Sequence, residues 1–421
     1  MELRRISFYL LATVAVGVSV FPDKVMAQIS SDGSLSTTVS TDDAVNFLIE
    51  GGERSLDNLF HSFSEFSIPN LGSAYFNNAT DITNIFSRVT GGNISDIQGL
   101  IRANGTANLF LINPAGIVFG ENASLDVGGS FFASTAESVV FGDGVEFSAI
   151  EPQEAPLLTI NITPGLQMGA NSGDIIINNT GHSLTGNFRS PITNQEPNIS
   201  TIPGLQISSG KTLGLVGSNV TLDGGIITVP SGRVELSAIG NQNPSSQVGL
   251  QIEDGQWQLT HDTIEPAGNI QLLQQALVDA SGNGQGTVQI RGANLTMADG
   301  SIVWLENRGS QAAGSINLYI TETLDLIGAV SNGELASGIY ADVSTTATGR
   351  GSDITVTGGQ ITFQEGGNIQ SRTFGVGDSG QVTINSSSIK FSDSISDNVI
   401  GVLGTITLLG RGVRLVLTRS L

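Results

Sequence analysis

The sequence predicts an all-β solenoid, a parallel β-helix. Three observations predict it. First, Gly supplies 54 of 421 residues while only 13% are charged, against about 25% in an ordinary globular chain. Second, short apolar pairs recur every seven to eight residues, as at Val288, Leu295 and Ile302. Third, Gly, Asn, Asp or Ser closes each pair, which marks a turn after every two- or three-residue strand. A strand that short cannot bury its inward face alone. It must stack on similar strands above and below. Three such strands per turn give a coil of roughly 20–25 residues. A β-sandwich needs longer strands, and the Leu-x-x-Leu-x-Leu of a leucine-rich repeat never recurs.

Charge and cysteine content narrow the function. The chain carries 38 acidic and 17 basic residues, a net charge of −21. A nucleic-acid binder needs a basic face, so that class is excluded. With no Cys there is no disulfide, thiol nucleophile or cysteine zinc site.

The elements follow in chain order. Residues 1–27 read as a signal peptide. Arg4 and Arg5 precede the apolar stretch Ile6 to Phe21, and Val25-Met26-Ala27 places small residues before a cut between Ala27 and Gln28. The stretch is short for a membrane span of about 20 residues. Residues 28–150 form a distinct module. Ten of the 18 Phe lie between Phe47 and Phe132, and Ile94, Ile101, Leu109, Ile117 and Leu125 keep the rhythm. Stacked Phe in the coil core is the expected packing, with Phe60, Phe63 and Phe66 inward. Residues 151–204 are Pro-rich, through Pro152, Pro156, Pro164, Pro191, Pro197 and Pro203, and read as irregular coils or loops. Residues 205–400 return to regular repeats. Residues 401–421 have a different rhythm and three Arg, which suggests an atypical or truncated end.

The module of 28–150 carries a set of unusual motifs. Asn58-Leu59-Phe60-His61-Ser62-Phe63 comes first, then Ile68-Pro69-Asn70, Arg88-Val89-Thr90-Gly91-Gly92 and Ala107-Asn108-Leu109-Phe110. Last is Asn113-Pro114-Ala115-Gly116-Ile117. In this order they resemble the secretion domain of filamentous-haemagglutinin-like exoproteins of two-partner secretion, in the form with Asn-Leu-Phe-His-Ser-Phe that looks cyanobacterial. The family's Asn-Pro-Asn-Gly-Ile stands here with Ala115 at its third position. Its Asn-Pro-Asn-Leu is only partly kept at Ile68-Pro69-Asn70-Leu71. The resemblance implies a right-handed β-helix. It also implies export through an outer-membrane β-barrel transporter with POTRA domains, and a secreted or cell-surface location.

The candidate recognition residues for that transporter are Asn58, Leu59, Phe60, His61, Phe63, Pro69, Asn70, Asn113, Pro114, Gly116 and Ile117. For 113–117 the competing reading is a plain turn with Pro second; for 58–66 it is core packing. No cofactor or metal is expected. His61, His182 and His261 lack metal-ligand spacing. The expected function is an adhesin-like rod that displays inserted loops to a surface or carbohydrate ligand, and not an enzyme. Two other readings are a polysaccharide-active β-helix enzyme and a remnant of a longer exoprotein. Buried carboxylates clustered in one groove would favour the enzyme; a surface of Ser, Thr, Asn and Gln would favour display.

Overall fold

The computed structural model describes residues 28–142, 144–153, 164–187, 190–194, 204–241, 246–261, 264–330, 335–392, 403–407 and 416–419. The expected signal peptide, Ala27 included, and most of the tail after 392 lie outside the described residues.

The described chain is a parallel β-helix with three faces. Face A stacks Asn58–Phe66, Asn84–Val89, Asn108–Ile112, Phe131–Ser134, Thr212–Gly217 and Arg233–Ala238 in parallel register. Face B stacks Ser95–Ile97, Ile117–Phe119, Ile175–Asn178, Val220–Asp223 and Asn269–Leu273. Face C runs from Asn46–Glu50 to Ser124–Asp126, then resumes from Leu205–Gln206 through Ile226–Thr228, Leu277–Asp279, Ile302–Asn307, Gly338–Val343 and Asn368–Thr373. Register partners advance from Asn58 to Asn84 to Asn108, which are coils of 26 and 24 residues. Inward residues such as Leu59, Ile85, Leu109, Phe131, Leu213 and Val234 form one continuous apolar core.

Two findings depart from the expected repeat. From Thr287 onward faces A and B fuse. Thr287–Ala298 and Ser315–Ile327 are single strands of 12 and 13 residues, with an irregular register at Gly292–Asn294. The earlier corner carries Pro114 and Gly116, which interrupt the ladder; the later one holds Gly292-Ala293, which only bends it. Second, Phe60 does not face the coil interior. Side chains alternate along a strand, so Leu59, His61 and Phe63 point inward and Phe60 outward. Phe66 points inward as well because the strand's register shifts opposite Ser30 and Ser31.

Outward Phe60, Phe86, Phe110 and Phe132 stack with centroids 5.3, 4.8 and 5.1 Å apart. A lateral antiparallel sheet covers them. Its strands are Glu146–Ser148, Ser138–Val140, Gly165–Met168, Ser246–Glu253 and Gln256–Thr260. They come from two insertions, one between Phe131 and Leu213 and one between Val234 and Val288, each pair being adjacent in the ladder. Phe141, Phe147 and Trp257 close over the stacked rings. The same stretch, 151–204, also supplies Ile175–Asn178 to face B. Antiparallel strands Ile29–Ser31, Thr38–Ser40 and Glu53–Ser55 cap the first coil and cover its open edges.

Candidate functional site

The motif residues fall on the first three coils, at two corners, on face A and, for Ile117, on face B. Asn113 begins the corner between faces A and B and is 0% exposed. Its Nδ2 donates to Asn93 O and to Ser95 Oγ, both at 2.9 Å. Its Oδ1 accepts the Ala115 amide at 3.0 Å, and the Gly116 amide donates to Asn113 O at 3.1 Å. The turn is therefore closed by Asn113 itself, with Pro114 at its second position as the spacing suggests. Gly116 has φ +127 and its backbone passes Asp174 O, where an added Cβ would sit at 3.3 Å. Ile117 is buried in the core. What this corner shows to solvent is Pro114, Ala115 and Ile94, the last 54% exposed.

The corner continues as a polar ladder. The Ile117 amide donates to Asp174 O. Asn219 Nδ2 donates to Asp174 Oδ1 at 2.8 Å, and the Asn269 amide to Asn219 Oδ1 at 2.8 Å. Asn294 Nδ2 then donates to Asn269 Oδ1 at 2.9 Å, and Thr323 Oγ1 to Asn294 Oδ1 at 2.7 Å. Each Asn bonds the backbone or side chain of the neighbouring coil along this largely solvent-exposed corner.

A second ladder opens face A. Asn84 Nδ2 donates to Asn58 Oδ1 at 2.8 Å, Asn108 Nδ2 to Asn84 Oδ1 at 2.9 Å, and the Ser130 amide to Asn108 Oδ1 at 2.8 Å. Asn58, Leu59, Phe60, His61 and Phe63 are all buried. His61 Nδ1 lies 3.2 Å from Thr37 Oγ1, and burial pushes its pKa down to about 3. These side chains hold the first coil together and are shielded from a partner once the coil has formed.

Pro69 and Asn70 stand at the opposite corner, between faces B and C. The Gly72 amide donates to Pro69 O at 2.9 Å, and Leu71 sits at φ +59 with 78% of its surface exposed. Asn70 is exposed and its Oδ1 accepts Asn122 Nδ2 from a later coil at 2.8 Å. The two motif turns thus bracket the short face B. Gln28 is exposed and its carbonyl accepts the Ser67 amide at 3.0 Å.

Arg88 is a contact residue that the sequence left unassigned. It is fully buried and donates to Ser62 Oγ, Ser148 O, Ser34 Oγ and Gln153 O at 2.8–3.0 Å. It lies 4.3 Å over the Phe147 ring. One guanidinium thereby joins the N-terminal cap, the first coil and the early part of the first insertion. Burial lowers its pKa to about 10, against the pull of Asp32.

The acids with raised pKa are buried and partnered. Burial pushes Glu235 up to about 7, although Arg233 Nη1 lies 3.0 Å away. Burial also raises Asp279 and Glu306. Glu306 pairs with Arg308 Nε at 2.7 Å, and Asp279 Oδ1 accepts the Ser281 amide at 2.8 Å. Among the described residues, no group of three or more His, Asp or Glu is placed to hold a metal ion.

The fold is a capped parallel β-helix, with a lateral sheet sealing an aromatic stack and two motif turns on its first coils. The chain matches the family model of the TPS secretion domain over residues 27–290, and it belongs to that family. It is an exoprotein of the two-partner secretion pathway. Membership implies a cognate outer-membrane transporter and an extracellular or cell-surface location. The matched family model describes a domain of secretion. Among solved structures, the HMW1 secretion domain from Haemophilus influenzae is similar at 16% identity and TM-score 0.44, over 91% of this chain and 99% of that one. The filamentous hemagglutinin secretion domain is similar at 13% identity and TM-score 0.36, over the same shares. No curated protein matches the chain in sequence.

Proposed function

We propose that the transporter reads Asn58, Leu59, Phe60, His61, Phe63, Asn113, Gly116 and Ile117 on the unfolded chain, and Pro69, Asn70 and Pro114 at turns that stay accessible in the folded coils. The observation that carries this is their division by burial. Asn58, Leu59, Phe60, His61, Phe63, Asn113, Gly116 and Ile117 are enclosed in the folded coils, while Asn70 is exposed and Pro69 and Pro114 are half-exposed. The enclosed side chains can be touched only before the coil closes, so they are read on the unfolded chain by the transporter's periplasmic POTRA domains. After export the same residues become the nucleus on which later coils stack, each coil needing only its neighbour. A signal peptide cut between Ala27 and Gln28 delivers the chain to the periplasm.

Beyond the nucleus, the rod serves adhesion by display. The outward column of face A continues from Gln289 to Asn317, Thr355 and Thr383. All four are half-exposed and uncharged. A regular array of amides and hydroxyls suits a surface or carbohydrate ligand with many hydroxyl groups. The test is co-expression of the full chain with its transporter. Product in the medium with the transporter, and none without it, is expected. Equal retention in both cases refutes the reading.

A further inference from the structure

Residues 181–187 and 190–194 leave the helix between face B (Ile175–Asn178) and face C (Leu205–Gln206). Leu184–Asn187 and Ser190–Asn194 pair as an antiparallel hairpin. This hairpin covers rungs made by residues far later in the chain. The Gly181 amide donates to Gly224 O, and the His182 amide to Gln275 O at 2.9 Å. His182 Nε2 donates to Gly300 O at 3.0 Å, while its Nδ1 accepts the Leu184 amide at 3.2 Å. Leu184 and Ile192 are buried in a separate apolar cluster with Ile226, Leu277, Ile302 and Trp304. Ser190 O accepts Arg372 Nη1 at 3.4 Å.

What lies beneath needs a roof. Arg372 and Asp342 are each 1% exposed and joined by two hydrogen bonds, at 2.7 and 2.6 Å. Trp304 Nε1 donates to Asp342 Oδ2 at 3.2 Å. A buried ion pair holds only if its remaining donors are satisfied and water is kept out. The hairpin supplies a carbonyl to Arg372 and an apolar cover to Trp304.

We propose that this hairpin is a latch that closes only after the coils carrying Ile302 and Gly338–Val343 have stacked, and that it fastens the secretion domain to the rod beyond residue 290. Two arguments support it. Its partners Ile302, Trp304 and Arg372 fall past the family-matched span, which ends at 290. Closing a contact over more than a hundred unfolded residues carries a loop-entropy cost that grows with separation. Stacking removes that cost, because each rung then lies about 4.8 Å from the last. Ile302 is two rungs from Ile226, through Leu277. In a chain exported N-terminus first, the latch therefore emerges early and shuts late. That order in the cell rests on the proposed export route, but the closure itself does not.

The test is refolding of the full chain from urea with pulsed hydrogen exchange. The chain has two Trp, so Trp257→Phe leaves Trp304 as the only indole to report closure. Amides of Leu184–Asn187 and Ser190–Asn194 are expected to gain protection in the same phase as Ile302–Asn307 and Gly338–Val343, and after Ile175–Asn178. Protection together with Ile175–Asn178 overturns the proposal. In native protein, Leu184→Ser/Ile192→Ser is expected to speed exchange of Ile302–Asn307 about tenfold and to spare Asn84–Val89. His182→Gln is the milder variant, expected to move the same amides in the same direction. Equal acceleration everywhere, or none, overturns the proposal. No transporter enters this measurement, so it stands or falls apart from the export assay.

Discussion

Gly214 stands in register with Phe132, at the point where the stack of Phe rings on face A ends. It lacks a positive φ, so its backbone is open to any residue. Its necessity is steric. A Cβ there would lie 2.3 Å from Phe132 Cδ1 and Cε1. The ring has nowhere to go, since Phe110 stacks on it at 5.1 Å and Trp257 meets its edge at 6.4 Å. Gly214→Ala should therefore overpack the stack and cost about 1–3 kcal/mol. Phe132→Ala alone should cost about 3–5 kcal/mol, by emptying a fully buried site. With the ring gone, the added methyl meets open space. Gly214→Ala in the Phe132→Ala background should then be neutral, or stabilising by about 0.4–1 kcal/mol through the stiffer unfolded chain. The assay is urea unfolding followed by tryptophan emission in all four proteins of the cycle. An equal cost of Gly214→Ala in both backgrounds would refute the steric account, as would no cost in the native background.

Four other outcomes follow from the geometry. His61, His182 and His261 are held neutral by burial, with pKa values pushed down to about 3, 4 and 3. The unfolded chain takes up their protons below the ordinary value near 6.5, so stability is full above it and falls by about 1.4 kcal/mol per His per pH unit below. Glu235, raised to about 7, acts the other way between roughly pH 4.5 and 7 and returns about 1.4 kcal/mol per unit, and the buried Asp279 and Glu306 act in the same direction; urea midpoints at pH 7, 6 and 5 check that the three His outweigh these acids, and a rise on acidification would contradict it. Asn113→Ala removes the bonds to Asn93 O, Ser95 Oγ and the Ala115 amide, and should cost about 1–3 kcal/mol, where Asn70→Ala at its exposed corner should stay within about 0.5 kcal/mol. Thermal unfolding separates the two. Arg88→Met leaves Ser148 O and Gln153 O without their donor, and should speed hydrogen exchange in Ser138–Val140 and Glu146–Ser148 before it affects Val220–Asp223. In the export assay, Asn70→Ala should lower the yield in the medium with no change in stability; an unchanged yield removes Asn70 from the recognition set.

The all-β solenoid was legible in the sequence because its cause is local. Alternation over two or three residues, broken by Gly, Asn, Asp or Ser, leaves stacking as the only way to bury Leu109, Val288 or Ile354. The family was legible because Asn58–Phe63 and Asn113–Ile117 are contiguous runs. One further signal lay in plain view: Asn58-Leu59-Phe60, Asn84-Ile85-Phe86 and Asn108-Leu109-Phe110 repeat the same triplet. That triplet encodes the Asn ladder, the inward aliphatic column and the outward Phe stack together. Only the tertiary structure decided what covers that stack. An outward Phe60 and an inward Phe63 look alike until insertions 108 residues apart, at Ser138 and Ser246, meet as one sheet above the first. Arg88 and His182 owe their roles to partners brought near by stacked coils, over separations of 54–65 and 118 residues. A strand's periodicity fixes which side chains share a face; which face is buried twice depends on what the rest of the chain lays over it.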